Sequence, residues 1–212
     1  MTLHYQGKVL IHKIPMGSYG NNGYVIVCPQ TNESIVIDAP EEPEKLTAAA
    51  RGTAVKAILI THTHMDHLLG LEKIRSVLGA PVGVHAAEAD NIPGPPAFHL
   101  ADGDTITAGT VRLKVIHTPG HTPGAVCFLT GQHLFSGDTL FPGGPGHTRT
   151  PQDLRRIIAS ITSKLLTLPR ETVVYPGHGE DATIAKAQEE YAVFASRPHA
   201  PELCGDVLWL NS

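Results

Sequence analysis

The chain has 212 residues, 42% of them apolar without counting glycine and 17% charged. That is length for one domain with a real core, and it excludes disordered, collagen-like and coiled-coil architectures. A formal net charge of −4 with no Lys/Arg cluster disfavours nucleic-acid binding through phosphate neutralisation.

The first third reads as strands. Residues 8–14, 23–29 and 34–40 are short, rich in Val and Ile, and bounded by Gly, Asn and Pro. A helix is expected over 41–52, closed by Gly52. Residues 55–60 (VKAILI) form an apolar run suited to a strand buried on both faces. Apolar residues at 68, 71, 74, 77 and 78 then have helical spacing, which stops at Gly79 with Pro81 beyond. A strand at 81–85, a small helix at 86–91 and a Pro-rich loop at 92–97 follow. Strands are expected at 104–108, 110–117, 124–130 and 132–136, separated by Gly-containing turns. Thr150 as N-cap and Pro151 at the first position open a helix whose buried face is Leu154, Ile157, Ile158, Ile161 and Leu165. A strand at the start of 171–179 and a last helix over about 181–196 complete the chain. Strands and a helix, then strands and a helix again, with no linker or repeat, predict one α/β domain over residues 1–212, with two sheets face to face and helices outside.

Cys28, Cys127 and Cys204 have no paired spacing, which fits a reducing compartment. The N-terminus has no signal-peptide run and no segment approaches membrane-spanning length, so a cytoplasmic protein is expected. Against that ordinary background, 13 histidines are conspicuous.

Four ligand-type side chains, His62, His64, Asp66 and His67, fall within six residues directly after the 55–60 strand. In an extended segment, residues two apart point the same way, so His62 and His64 can chelate one ion. Asp66 and His67, at the turn into the helix, offer a carboxylate and an imidazole to a second. Such a cluster is costly to desolvate without a cation. Three later positions share a pattern of strand, tight turn and ligand: His121 in TPGHTPG, Asp138 in FSGDTLF and His178 in YPGHGE.

THTHMDH, PGHTPG, SGDTLF and PGHG, in that order, resemble the metallo-β-lactamase superfamily, and within it the glyoxalase II (hydroxyacylglutathione hydrolase) branch. The resemblance covers essentially the whole chain and implies an αββα sandwich of two mixed sheets. It implies that His62, His64 and His121 hold one metal, that Asp66, His67 and His178 hold another, and that Asp138 bridges both. Zinc is the first choice for the two divalent ions, and iron and manganese suit the same donors. Asp38 resembles the family's aspartate that orients ligands from behind. A bridging Asp138 lets two cations share a water whose pKa falls far enough to give hydroxide near neutral pH, with Asp66 and Asp138 as the carboxylates closest to the chemistry. Hydroxide then attacks a carbonyl polarised by one metal. A thiolate leaving group needs little acid help, which fits a site with no evident general acid.

The expected activity is hydrolysis of a small thioester of the hydroxyacyl-glutathione type, such as S-lactoylglutathione. Alternatives are a lactone or ester hydrolase, or the superfamily's persulfide dioxygenase branch with a single iron. β-Lactam hydrolysis is at most a side activity, and RNA processing is disfavoured by charge. Only 34 residues follow His178, so a short form without the branch's C-terminal helical domain is expected. The positions where the branch places a Lys and a Tyr for glutathione hold His147 and Arg149. These two, with Met16 and Tyr19 in the loop that overhangs the family's metal site, are the candidate substrate contacts. The segment 201–212 has no assigned role.

Overall fold

The structure, a computed structural model, describes residues 3–212. The chain divides into two compact units, the first ending at Val115 and the second spanning Ile116–Ser212.

The first unit carries a seven-stranded sheet whose spatial order follows the chain: β1 (Tyr5–Gln6), β2 (Leu10–Met16), β3 (Asn21–Val27), β4 (Glu33–Ile37), β5 (Ala54–Leu59), β6 (Val82–His85) and β7 (Phe98–Leu100). The first four strands pair antiparallel and the last four parallel. Parallel pairing needs crossovers. These are α1 (Pro43–Ala49), α2 (Leu71–Leu78), and a 3-10 turn at Ala86–Asn91. Leu46 of α1 and Leu71 and Ile74 of α2 pack into one cluster with Val25, Val36 and Ile58 of the sheet. Because β5 is covered at Ala57, Ile58 and Leu59 on both faces, its apolar run does not alternate. A hairpin of β8 (Thr105–Ala108) and β9 (Val111–His117) ends the unit.

The second unit contains β10 (Val126–Thr130), β11 (His133–Gly137), the short hairpin β12 (Leu140–Phe141) and β13 (Gly144–Pro145), α3 (Pro151–Ser160), β14 (Val173–Pro176), β15 (Ala182–Thr183) and α4 (Ile184–Ala195). The second sheet has the order β15-β14-β11-β10-β9-β8, parallel between β11 and β14 and antiparallel in the β14–β15, β10–β11 and β8–β9 pairs. In α3, the Thr150 hydroxyl accepts from the Asp153 amide at 3.2 Å, a cap worth about 1 kcal/mol. Leu154, Ile157, Ile161 and Leu165 are buried as expected, each contributing roughly 1.5–3 kcal/mol, while Ile158 lies at the edge of the cluster. A π-helical turn at Ile161–Leu165 continues α3 and re-aims its last turn.

The predicted strands and helices are present within a few residues of their expected bounds. β1, β7, β12, β13 and β15 were not anticipated. Each has only two or three residues, too few for an alternation to register. Among the described residues no helix is long and apolar enough to cross a membrane.

Candidate metal centre

In the first unit the THTHMDH segment leaves β5 and turns through a 3-10 helix, Met65–His67. It is tied to the segment after β4: the Asp38 amide donates to the Leu59 carbonyl, the Ala39 amide to the His67 carbonyl and the Gly70 amide to the Ala39 carbonyl, all at 2.8–3.0 Å. A Cβ at Gly70 would collide with the Pro40 carbonyl, so only glycine permits this approach. The loop gathers its imidazoles, with the His62 ring 4.8 Å from that of His64 and 4.1 Å from that of His67.

Asp38 governs which nitrogens these rings present. It sits at φ 60°, a left-handed conformation uncommon for a residue with a side chain. Its carboxylate, 1% exposed, lies 3.0 Å from Nδ1 of His67, which is fully buried. It also accepts from the Thr61 amide and hydroxyl, both at 2.8 Å. With its proton given to Asp38, the Thr61 hydroxyl can only accept from Nδ1 of His62, 3.1 Å away. In the neutral rings, both Nδ1 atoms then carry hydrogen and both Nε2 atoms carry lone pairs. Nε2 of His67 faces Oδ2 of Asp66 at 3.5 Å, and that same oxygen accepts from Nδ2 of Asn21 at 2.7 Å. Behind His62 and His64, the buried Glu88 accepts from the amide and hydroxyl of Thr63.

In the second unit three loops bring His121, Asp138 and His178 together. Parallel pairing places Gly137 opposite Pro176, and the Gly177 amide donates to the Gly137 carbonyl at 2.8 Å. Asp138 and His178 therefore leave the sheet side by side, with Nε2 of His178 3.5 Å from Oδ2 of Asp138. His121 follows Gly120, where a Cβ would collide with the backbone nitrogen of Ile157 in α3. Nδ1 of His121 lies 2.9 Å from the His147 carbonyl, an acceptor only, so the neutral ring carries its hydrogen there. Its Nε2 lone pair faces Oδ2 of Asp138 at 3.7 Å.

Both units thus aim imidazole lone pairs at carboxylate oxygens. Acceptor against acceptor is repulsive unless a proton or a cation lies between, and outer hydrogen bonds on Nδ1 are what metal-ligating histidines carry. The donor set, mixed imidazole and carboxylate, fits a divalent first-row ion.

The candidate substrate contacts are placed less uniformly. Met16 is 2% exposed and packs in the apolar cluster of the first sheet, a core position without surface to offer a substrate. Its place in β2 opposite Asn21 turns the thioether inward. Tyr19 is 55% exposed. In the second unit a cavity of about 300 Å³ is lined by His121, Asp138, His178 and His147 among others. Arg149 is exposed and lies outside that lining. Asn21, Thr61 and Glu88 were missed by sequence reasoning because they touch the loop donors only through folding. Asp206, Val207 and Leu208 of the C-terminal segment, to which no role was assigned, form part of the cavity wall.

Two mixed sheets with crossover helices and clustered His/Asp donors define a metal-dependent αββα protein. The chain belongs to the metallo-beta-lactamase superfamily, whose profile matches residues 17–178. It is 37% identical over 177 residues to a hydroxyacylglutathione hydrolase of Polaromonas sp. (strain JS666 / ATCC BAA-500), covering 80% of this chain and 66% of that one. It therefore spans just under two thirds of that relative's length. Its fold is similar to BLEG-1 B3 metallo-β-lactamase, with a TM-score of 0.76 and 32% identity over 84% of this chain and 96% of that one. It is also similar to TTHA1623 in a di-iron-bound form, with a TM-score of 0.71 and 33% identity over 84% and 96% of the two chains.

Proposed function

We propose that this protein hydrolyses small thioesters with a pair of divalent metal ions held by its His and Asp donors. In this reading His62, His64 and His121 serve one ion, Asp66, His67 and His178 the other, and Asp138 both. The observation that carries it is the fixed presentation of Nε2 by His67 and His121, each with Nδ1 tied to an oxygen acceptor and Nε2 turned to a carboxylate. The likeness to a di-iron-bound structure and to a hydroxyacylglutathione hydrolase supports the pair of ions and the thioester respectively.

Bound divalent ions supply a nucleophile from water near neutral pH and polarise the scissile carbonyl. The chain's own residues set the stage for this. Asp38, through His67 directly and through Thr61 to His62, keeps both rings in one tautomer and orientation. Asn21 holds one oxygen of Asp66 and so fixes how its carboxylate is turned. The His147 carbonyl does the same for the His121 ring. No protonated side chain is required for departure of a thiolate, which is a good leaving group near neutral pH.

S-Lactoylglutathione hydrolysis by protein reconstituted separately with zinc, iron and manganese tests the reading. Metal-dependent release of glutathione is expected. If no thioester is cleaved with any of the three metals, the thioesterase reading falls, and lactones or other esters become the substrates to try.

A further inference from the structure

The C-terminal segment is built into the second unit rather than lying loose on it. The Thr148 and Gly205 backbones exchange hydrogen bonds at 3.1 and 2.8 Å. The Trp209 amide donates to the Gly143 carbonyl at 2.9 Å, and the Gly143 amide donates to Glu190 Oε2 of α4 at the same distance. Trp209 is fully buried, with its ring edge-on to Tyr191 at 5.4 Å. A Cβ on Gly144 would collide with the Val207 carbonyl, so glycine there lets the segment close against the β12–β13 hairpin. Val207 and Trp209 point into the core, and Leu208 between them is turned outward and stays 49% exposed.

Leu208 lines the cavity that also contains His121, Asp138 and His178, together with Phe141, Pro142 and Pro145. Among the described residues no Lys or Arg lines this cavity. The ionisable side chains at its edge are His147 and Asp206, whose Nδ1 and Oδ1 are 3.0 Å apart. The Asp206 carboxylate disfavours an anionic group at this edge, and His147 is already engaged with it.

From this wall we infer that Leu208 and Phe141 form a specificity-determining acyl subsite, which takes a short, uncharged aliphatic chain attached to the scissile carbonyl. The inference rests on the thioesterase reading and refines it. The acyl group preferred is aliphatic rather than a small hydroxyacyl, because the wall offers apolar area and a buried hydroxyl would have to find a partner there. The cavity's volume of about 300 Å³ suits a chain of a few carbons.

The test uses metal-loaded protein and thioesters of one uncharged thiol, N-acetylcysteamine, carrying acetyl, lactoyl, butyryl or hexanoyl groups. The same acyl groups on glutathione form a second series. kcat/KM is expected to rise about tenfold from acetyl to hexanoyl in both series, with lactoyl below butyryl. Leu208→Asp is expected to lower hexanoyl kcat/KM about tenfold, mainly through KM, and acetyl kcat/KM less than about threefold. A flat acyl series, a preference that follows the thiol instead, or an equal loss for all acyl groups in Leu208→Asp would overturn the subsite and leave the thioesterase reading standing. Binding of the N-hexanoyl and N-acetyl amide analogues, measured calorimetrically, needs no turnover. Tighter binding of the hexanoyl amide that is lost in Leu208→Asp supports the subsite even if no thioester is cleaved. Binding indifferent to chain length or to residue 208 refutes it.

Discussion

The two units present metal-ligand side chains by opposite means. In the first, His62, His64, Asp66 and His67 come from one contiguous segment, and a single buried carboxylate, Asp38, reaches two of the rings. In the second, His121, Asp138 and His178 come from three separate loops, aligned by the parallel pairing of β11 with β14 and by a glycine that admits α3. A contiguous cluster depends on one hub behind it. A dispersed cluster depends on the sheet and on several independent turns, and its walls are free to vary. The cavity that has Leu208 in its wall is built from the second unit's loops and C-terminal segment.

Substitutions can break this contrast in order of effect. Asp138→Ala removes the carboxylate that faces both His121 and His178. Hydrolysis is expected to fall to background and bound metal to drop, with the circular dichroism spectrum unchanged. Full activity in this variant would sink the two-ion reading. Asp38→Asn tolerates the left-handed backbone better than most replacements, but it exchanges a carboxylate acceptor for an amide. Because one hub serves two rings, metal affinity is expected to fall roughly 10- to 100-fold in a chelator competition. A comparable loss from a substitution at Glu88, which accepts from the Thr63 amide, would argue that the hub is not Asp38 alone.

The smallest effect concerns acid. Burial lowers the pKa of His133, whose Nδ1 lies 2.9 Å from the Tyr175 hydroxyl, below its ordinary 6.5. Burial also lowers that of His12. With folded pKa values below the unfolded ones, the unfolded chain takes up protons first as pH falls through about 6.5. The stability contributed by the neutral rings is full above that pH and is lost as it falls toward the folded values. Melting temperatures at pH 7.5 and 5.5 should differ less in His133→Gln than in the parent protein. An undiminished difference would place the acid sensitivity elsewhere.

Much of the fold was legible because its longer elements carry their own signals. The apolar run of β5, the helical spacing of α2 and the Thr150–Pro151 start of α3 are local patterns, and each reappears within a few residues of its expected place. β7, the β12–β13 hairpin and β15 carry no such pattern, since they exist only because a neighbouring strand is there to pair with. Met16 illustrates the reverse error. A loop position in sequence proved to be the end of β2, where the pleat turns it into the core.

The sequence by itself determined which donors this protein carries, because ligand chemistry is a property of side-chain type and the donors of the first unit are crowded within six residues. Only the tertiary structure decided which nitrogen each ring presents. That choice belongs to acceptors distant in the chain: Asp38 for His67 and the His147 carbonyl for His121. The same holds for the cavity wall. Nothing in PELCGDVLWLNS distinguishes Leu208 from its apolar neighbours. Burial of Val207 and Trp209 on either side is what turns it outward, and burial is settled by packing between segments far apart in sequence.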